Sequence, residues 1–510
     1  MHEHCIGHGP RITRQAKHCK SPRKTLKRQS GKTPTRFKTL PHSLIGQTGQ
    51  SSLVMVNVRS PLPKFTTPCV LTTWAFLLTT GSVALAEDWP QWMGRQRDNI
   101  WRETNIIDSF ADEGAKILWR SPVGGGYSGP AVAKGRVYIT DFQPNLQAGE
   151  APNQRKNSRG TERTLCLDEA TGRVLWEHSY PVTYSISYPA GPRCTPNVDE
   201  TRVYTLGAQG DLQCLDSTTG ELKWSRNLPR DYSTKPAIWG YAGHPLVVGD
   251  NLICIAGGEG TLVVALNKYT GKETWRALSS SSQGYSPPVL INAAGTAQLI
   301  ILHPDGVQSL NPSNGKEHWM VEYQATNGSV IMSPIKSGNL LYAAGYTKKN
   351  LMMKLSDDKP AATILWQDIP DAAISPVNVQ PFAHDGMLYG FHQDGTLYGV
   401  DFKTGARIWS SLNPLQSDRP LRTGTAFIVK QEERYWLFTE QGDLVIAKMN
   451  RQGYQELDRT HVLAPTDVAF GRKVVWAAPA FANRKVFLRN GKECICVDAS
   501  RPPSNENIRN

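Results

Sequence analysis

The stretch Leu167-Asp168-Glu169-Ala170-Thr171-Gly172, followed by Trp176, decides the fold because its pattern recurs along the chain. An apolar run leads into Asp-x-x-Thr-Gly, and a Trp follows a few residues later. Asp and Thr side chains bond to their own backbone and Gly accepts positive φ, so the motif predicts a tight hairpin turn between two strands. Four further copies occupy 216–220 with Trp224, 267–271 with Trp275, 311–315 with Trp319 and 401–405 with Trp409.

Degenerate copies extend the series. Trp119 has no turn before it, Trp366 lacks the Gly turn, and Leu457 replaces Trp after a turn at 450–453. The eight positions are 43 to 57 residues apart, a spacing that is typical of one four-stranded propeller blade each. We expect the repeat tryptophans to pack blade against blade rather than to contact a ligand; they are Trp119, Trp176, Trp224, Trp275, Trp319, Trp366 and Trp409.

A second marker gives the same count. A small residue or His precedes Pro and an apolar run at 129–130, 195–196, 244–245, 286–287, 333–334, 375–376 and 478–479, and 422–425 stands in the same place without Pro. No segment has the pattern of a long amphipathic helix. The sequence therefore predicts an all-β, eight-bladed propeller of four-stranded antiparallel blades over 115–500. An N-terminal strand around Trp119 should complete the last blade and remove a free sheet edge.

The basic charge is concentrated in the first 86 residues. They hold thirteen of the 57 Lys and Arg residues and a single acid, Glu3, which leaves 44 basic and 43 acidic residues in the remainder. A nearly neutral body has no long-range field for polyanions, so we expect no nucleic-acid partner. Residues 1–54 have the composition of a disordered leader, with Met55 as an alternative start.

Residues 55–86 have the pattern of a signal peptide. A basic segment precedes the apolar run at 70–78, and Ala84-Leu85-Ala86 fits a cleavage site. We therefore expect export to the periplasm, the cell envelope or the outside. Residues 87–114 form an N-terminal extension and 501–510 a disordered tail. No stretch of the mature chain is apolar enough to span a membrane, and we expect a monomer.

Six cysteines follow the leader, at 166, 194, 214, 254, 494 and 496, without a C-x-x-C pair or a metal-ligand spacing. Five of them lie inside predicted strands. We interpret them as buried small hydrophobic residues. Export to an oxidising compartment leaves one or two disulfides open as the alternative.

The repeat resembles the PQQ-type repeat of quinoprotein alcohol dehydrogenase-like propellers and of BamB-type outer-membrane assembly scaffolds. The opening at 89–94, Trp-Pro-Gln-Trp-Met-Gly, with Arg97-Asp98, is similar to the start of secreted PQQ-binding-like proteins. The dehydrogenase resemblance implies PQQ and Ca²⁺ in the central channel, beneath an adjacent Cys-Cys disulfide, with acidic and Asn ligands and an Asp base. This sequence has no Cys-Cys pair and no recognisable base motif, and we identify no metal ligands.

The residues just before each inner strand should ring the mouth of the channel. Aromatic and Arg side chains at one mouth suit a planar or anionic small molecule. The alternative is that Ser and Thr cap blade turns while the aromatics fill the wall. His244 is a weak candidate acid or base, since a lone His is more often structural. The candidate binding residues are Tyr127, Arg193, Trp239, Tyr241, His244, Tyr285, Ser333, Ser375, Arg422 and Trp476.

Two functions remain open because a fold does not fix a function. The first is a non-catalytic binding or scaffold protein of the cell envelope, whose partner is a protein or an envelope polymer. The second is a PQQ-dependent alcohol dehydrogenase-like enzyme, similar to polyvinyl-alcohol dehydrogenase-like proteins. The missing catalytic residues favour the first.

Overall fold

The computed structural model describes residues 87–146 and 158–502. The predicted leader (1–54), the signal peptide (55–86) and residues 503–510 of the predicted tail lie outside these ranges. Within the described part of the chain the strands form eight antiparallel four-stranded sheets, arranged as the blades of a propeller. The prediction of an all-β, eight-bladed propeller is confirmed.

Each of the first seven blades is built from four consecutive strands. Blades 1 to 4 consist of β2–β5 (Ala131–Ala133, Arg136–Pro144, Ser158–Asp168, Val174–Tyr184), β6–β9 (Asn197–Asp199, Arg202–Leu206, Asp211–Asp216, Leu222–Asn227), β10–β13 (Leu246–Val248, Asn251–Ile255, Val263–Asn267, Glu273–Ala277) and β14–β17 (Val289–Ala293, Thr296–His303, Gly306–Leu310, Glu317–Glu322). Blades 5 to 7 consist of β18–β21 (Ile335–Ser337, Leu340–Gly345, Lys349–Leu355, Ala362–Gln367), β22–β25 (Phe382–His384, Met387–Phe391, Leu397–Asp401, Arg407–Ser411) and β26–β29 (Ala426–Gln431, Arg434–Thr439, Asp443–Asn450, Gly453–His461).

The eighth blade joins the two ends of the ring. Strands β32–β34 (Ala480–Ala482, Lys485–Arg489, Glu493–Asp498) are completed by β1 (Ile117–Pro122), which pairs with β34. Trp119 lies opposite Cys496 and Ser121 lies opposite Cys494 in this pairing. The N-terminal strand thus closes the ring, as the sequence predicts, and leaves no open edge between the ends.

Little else in the described chain is regular. A two-stranded hairpin, β30–β31 (Asp467–Ala469, Arg472–Val474), stands between blades 7 and 8. The helical segments are α1 (Leu228–Asp231) and two short 3-10 turns (Thr326–Gly328, Asn413–Leu415). Within the two described ranges, no helix combines the length and apolar character needed to cross a membrane.

The repeat turn joins neighbouring blades. Asp168 Oδ1 accepts hydrogen bonds from the Thr171 amide (2.9 Å) and hydroxyl (2.7 Å), which fixes the hairpin. Trp119 of the preceding blade lies over this turn and donates its indole N–H to the Glu169 carbonyl at 2.9 Å. Trp176, Trp224, Trp275, Trp366 and Trp409 likewise donate to a carbonyl near the equivalent turn of the following blade, whereas Trp319 bonds Gln298 within its own blade.

The N-terminal extension crosses one end of the ring. Trp89 exchanges backbone hydrogen bonds with Val132 of inner strand β2, and Trp101 donates its amide to Lys430 of inner strand β26. Trp101 is 1% exposed and packs against Trp436 and Phe481, with ring centroids 5.6 and 5.0 Å away. The extension therefore bridges blades 1, 7 and 8 through buried aromatic contacts.

The six described cysteines are free and buried. Five stand within strands of four different blades. Burial raises the pKa of the Cys166 and Cys194 thiols to about 12, so these thiols are protonated at neutral pH. They serve as small hydrophobic side chains, as the sequence indicates.

A candidate binding site in the central channel

The inner strands and the extension enclose a cavity at the centre of the ring, here called the central cup. Its cavity volume is about 220 Å³. Trp92, Met93 and Asn99 of the extension form the floor at one end of the channel, and residues from the connections into all eight blades form the wall and the rim. Because the extension lies across the channel, the cup opens at its rim.

Six aromatic side chains line one side of the cup, on the consecutive connections into blades 8, 1, 2, 3 and 4. Tyr188 and Trp476 have ring centroids 5.9 Å apart, and Trp239 and Tyr285 are 5.1 Å apart. These distances fall in the range of favourable aromatic pairs. We call this set the aromatic arc: Tyr127, Tyr188, Trp239, Tyr285, Phe470 and Trp476.

The opposite side of the cup differs in chemistry. Blades 5, 6 and 7 contribute mainly aliphatic side chains, such as Ile331, Val377 and Ile428, and one aromatic ring, Phe427. Their polar groups are the amides of Asn378 and Gln380 and the hydroxyl of Thr423. A molecule in the cup therefore meets flat aromatic faces on one side and an apolar wall with neutral polar groups on the other.

Arg193 organises the aromatic arc from within. Its guanidinium donates to the carbonyls of Trp239 (2.8 Å), Ser187 (2.8 Å) and Tyr188 (2.7 Å), and also to that of Gly191. It lies 5.2 Å from the Tyr127 ring centroid in a cation–π contact. Burial lowers the pKa of Arg193. This one side chain therefore ties together the connections that carry three members of the arc.

Two members of the arc have unusual backbone conformations. Tyr188 has φ = 54° and Phe470 has φ = 49°, in the left-handed region that bulky residues rarely adopt. Phe470 is at the tip of the β30–β31 hairpin and is 42% exposed. Strained residues of this kind cluster at binding sites, where the surrounding structure holds them in place.

His244 lies near the floor rather than at the mouth. The His244 ring stacks on Trp92 with centroids 4.6 Å apart. The Arg97 guanidinium also lies over the Trp92 ring, 5.5 Å from its centroid. Burial and the nearby Arg97 charge lower the pKa of His244 to about 3. The imidazole is thus neutral at physiological pH and is a very weak base there.

The charge inventory of the cup is sparse. Among the described residues that line it there is no Asp, Glu, Lys or Cys, and Arg193 carries the only full charge. Several buried polar atoms of the lining have no hydrogen-bond partner in the described chain: Thr195 Oγ1, His244 Nδ1, and Asn378 Oδ1 and Nδ2. The cup thus presents neutral donors and acceptors rather than charges.

This donor set does not fit PQQ over Ca²⁺. Calcium sites in proteins use carboxylate oxygens together with carbonyls, whereas the side chains of the described lining supply amide, hydroxyl and phenol oxygens and no carboxylate. In the described ranges, no group of three or more His, Cys, Asp or Glu residues is placed to hold a metal ion. Two carboxylates lie next to lining residues. Glu440 accepts hydrogen bonds from Arg472 at 2.7 Å and from the indole N–H of Trp476 at 3.1 Å. Asp467 interacts with Tyr127, and burial raises the pKa of its carboxyl group to about 6.

The structure brings together six of the ten residues singled out from the sequence: Tyr127, Arg193, Trp239, His244, Tyr285 and Trp476 line the cup. The other four are not among the residues that line it. Tyr241 is buried and donates to the Ala256 carbonyl at 3.0 Å, and the Ser333 and Ser375 amides donate to Gln380 and His392. The Arg422 guanidinium lies over Phe470, 4.8 Å from its ring centroid.

Sequence reasoning missed other lining residues. Trp92, Met93 and Asn99 precede the first blade, so no repeat marker assigns them to the channel. Tyr188 and Phe470 lie in connections of irregular length. The aromatic composition of Trp89-Pro90-Gln91-Trp92 was the one available signal, since exposed aromatics in an extension need a surface to pack on.

Fold and cup together define a β-propeller of the PQQ-repeat class. A family model described as "Outer membrane protein assembly factor BamB" matches residues 160–368 and 331–507, which is more than half of the chain. The chain belongs to this family. It is also 20% identical over 202 residues to the outer membrane protein assembly factor BamB of Yersinia pestis, a match that covers 37% of this chain and about half (49%) of that relative.

Solved structures with the same fold include enzymes. The quinohemoprotein alcohol dehydrogenase of Comamonas testosteroni superposes with a TM-score of 0.52 at 12% identity, over 82% of this chain and 81% of that one. A europium-containing methanol dehydrogenase gives 0.52 at 11% identity, over 81% and 89%. Likeness at this identity concerns the fold alone.

Proposed function

We propose that this chain is an exported, non-catalytic binding propeller of the cell envelope that holds a partner protein. The observation that carries the proposal is the lining of the cup, which has no carboxylate, no thiol and no lysine among its described residues. Its one histidine has a pKa of about 3. General acid–base and nucleophilic chemistry need groups that titrate or ionise near the working pH.

Membership of the BamB family supports a protein partner, because its relative in Yersinia pestis is named as an assembly factor. Export is supported by the apolar run at 70–78 and the Ala84-Leu85-Ala86 site. If the proposal is correct, protein recovered from the envelope fraction begins at Glu87. An intact leader on that protein would contradict export through this site.

The enzymatic alternative has a direct test. Purified protein is incubated with PQQ, Ca²⁺ and primary or polymeric alcohols, and reduction of an artificial electron acceptor is followed. We expect no alcohol-dependent reduction above a blank without protein, with a quinoprotein alcohol dehydrogenase as the positive control. Turnover that depends on both PQQ and alcohol would overturn the non-catalytic proposal.

The partner surface has its own test. The β30–β31 hairpin places Val468 on the rim side of the cup, with 57% of its surface exposed. A photo-crosslinking residue at position 468 therefore faces a partner protein that is bound at the rim. Asp385, in the β22–β23 turn, is the control at the far end of an inner strand. We expect a discrete protein adduct at 468 and none at 385; adducts with polymer, or equal labelling at both, would contradict a protein partner at the rim.

A further inference from the structure

We propose that the central cup binds an uncharged, planar aromatic small molecule that makes hydrogen bonds along one edge. This inference names the ligand class of the binding propeller and rests on the proposed function to that extent. It follows from three properties of the cup: its flat apolar faces, its lack of usable charge and its unpartnered polar atoms.

The aromatic arc supplies the flat faces. Six rings line one continuous side. Arg193 bonds the backbone carbonyls of the connections that carry Tyr188 and Trp239 and lies over the ring of Tyr127, so it holds three members of the arc in place without a ligand. A preorganised aromatic surface gains little from a flexible aliphatic chain and most from a rigid aromatic plane.

The charges argue for a neutral ligand. A cation in the cup would meet Arg193 and would find no carboxylate among the described lining residues. An anion with several charges would need free cationic donors, yet four N–H groups of Arg193 already bond backbone carbonyls. Arg97 is likewise directed at the carbonyls of Pro245 and His244. Burying an unpaired charge in this setting is unfavourable.

The edge contacts come from neutral groups. The amide of Asn378 has both its oxygen and its nitrogen buried without a partner, and Thr195 Oγ1 and His244 Nδ1 are in the same condition in the described chain. Asn378 lies across the cup from the aromatic arc, on the connection into blade 6. A ligand stacked on the arc therefore directs one edge toward an amide that offers a donor and an acceptor side by side.

The floor limits how the ligand enters. Trp92, Met93 and Asn99 close the far end, and Trp92 is itself held by the His244 stack. A molecule must enter at the rim, past Phe470 and Trp476. A long polymer cannot thread a channel closed at one end, whereas a compact molecule of two or three fused rings can lie between the rim and the floor.

The test compares three tricyclic probes of similar size and different charge. Lumichrome is uncharged and carries an imide edge, proflavine is a cation at neutral pH, and PQQ is a polycarboxylate, used with and without Ca²⁺. Binding to the purified protein is followed by probe fluorescence or tryptophan quenching. We expect saturable one-site binding of lumichrome and at least tenfold weaker binding of the other two.

Two cup variants and one control place the site. Trp239→Ala removes a ring of the arc, and Asn378→Leu removes the polar edge contact at similar volume; each should weaken lumichrome binding at least tenfold. Tyr269→Ala removes an aromatic ring that is 38% exposed outside the cup and should change nothing. Circular dichroism and the melting temperature show whether each variant is folded. If Trp239→Ala does not fold, the lumichrome affinity of Asn378→Leu alone tests the site.

The outcomes separate the two proposals. Proflavine binding as tight as lumichrome, or lumichrome binding unchanged in both cup variants, overturns the ligand class without touching the non-catalytic role. Tight PQQ binding that requires Ca²⁺ and supports alcohol oxidation overturns the proposed function itself.

Discussion

Arg193 joins two of the connections that form the wall of the cup. Its guanidinium donates hydrogen bonds to four backbone carbonyls of these connections. Arg193→Met should lower the free energy of unfolding by about 4 kcal/mol, because hydrogen bonds to a charged donor are lost and buried acceptors are left unpaired.

Arg193→Lys should recover little of this loss, since an ammonium cannot reproduce the planar fork. Arg95→Met is the matched control: Arg95 is 54% exposed in its side chain and approaches Glu87 and Asp88 only at 3.9 and 3.6 Å. Its removal should cost less than about 0.5 kcal/mol. Urea unfolding of the variants measures the difference, and equal effects of the two substitutions would contradict the clamp.

His244 makes stability depend on pH in a defined direction. Its pKa is about 3 in the folded protein and about 6.5 in an unfolded chain. The folded state therefore favours the neutral ring, and its contribution is present above pH 6.5 and lost as pH falls toward 3. Between pH 7 and pH 4.5 this single group should cost about 2 kcal/mol of unfolding free energy.

His244→Phe keeps an aromatic ring on Trp92 and removes the titration. The stability of this variant relative to the original chain should rise as the pH is lowered from 7 to 4.5, and denaturant unfolding at the two pH values measures the change. A constant difference across that range would show that His244 does not titrate with the lowered pKa.

At the residue scale the sequence predicted part of the cup. Tyr127, Trp239 and Tyr285 were found because each stands in the connection just before an inner strand. Ser333 and Ser375 also stand in such connections and are buried, but they are not among the residues that line the cup. Which way a side chain turns depends on the neighbouring blade, and a local motif does not carry that information.

At the scale of elements, the extension over 87–110 has no repeat pattern and is held to the ring by tertiary contacts. Trp101 is its buried anchor: its indole donates to Glu103 at 2.7 Å, and its ring packs on blades 7 and 8. Trp101→Ala should lower the free energy of unfolding by about 4 kcal/mol through lost burial and the cavity left behind.

Phe470→Ala is the comparison for Trp101→Ala, because this ring is large, aromatic and 42% exposed. It should cost less than about 1 kcal/mol. Thermal unfolding followed by circular dichroism distinguishes the two, and a small effect of Trp101→Ala would mean that the extension adds little to the ring.

The repeat turn stabilises the molecule through contacts between blades. Gly220 has φ = 75°, and a Cβ there would stand 2.5 Å from Trp176 Cε3 of the preceding blade. Gly249 also has a positive φ, 58°, but a Cβ there meets nothing within 4 Å. Gly249→Ala should cost about 1 kcal/mol for backbone strain alone, and Gly220→Ala about 3 kcal/mol because the indole must also move.

Comparing these two glycines separates the turn from the blade interface. Both variants lose the same backbone freedom, so the excess loss in Gly220→Ala, measured by urea unfolding, reports the Trp176 contact. If both substitutions cost the same, the tryptophan over the turn does not hold neighbouring blades together.

Elements with a repeat pattern were predictable and the rest were not. Thirty-two strands fall into eight blades because the same turn chemistry recurs at each blade. The β30–β31 hairpin has no counterpart in other blades, so its aromatic tip at Phe470 could not be placed from periodicity. The extension is held to the ring by contacts between residues more than 300 positions apart along the chain, such as Arg434 with Asp108, which local patterns do not reveal.

For the whole molecule, the repeat accounts for the scaffold and leaves the function open. The same ring is found in an assembly-factor family and in dehydrogenases of 11 and 12% identity, so the scaffold does not distinguish these functions. The proposed binding role rests on the residues that face the channel, whose described members include six aromatic rings on one side and no carboxylate or thiol.

Closure of the ring is the contact on which the whole molecule depends, since β1 and β34 join the two ends of the propeller. Ser121 lies directly opposite Cys494 in this pairing, and both side chains are buried. Directly opposed residues of an antiparallel pair have Cα separations compatible with a disulfide. Ser121→Cys should therefore allow a covalent closure of the ring through Cys494.

The oxidised Ser121→Cys protein should unfold with a free energy about 4 kcal/mol higher than the same protein after reduction, because the crosslink encloses most of the chain in one loop. The two redox states share one sequence, so the lost hydroxyl contact to Gly172 cancels in the comparison. Adding Cys494→Ala should abolish the redox difference. Mass spectrometry shows whether the 121–494 disulfide has formed. If it has formed and the oxidised and reduced proteins still have the same unfolding free energy, separation of β1 from β34 is not the step by which the ring opens.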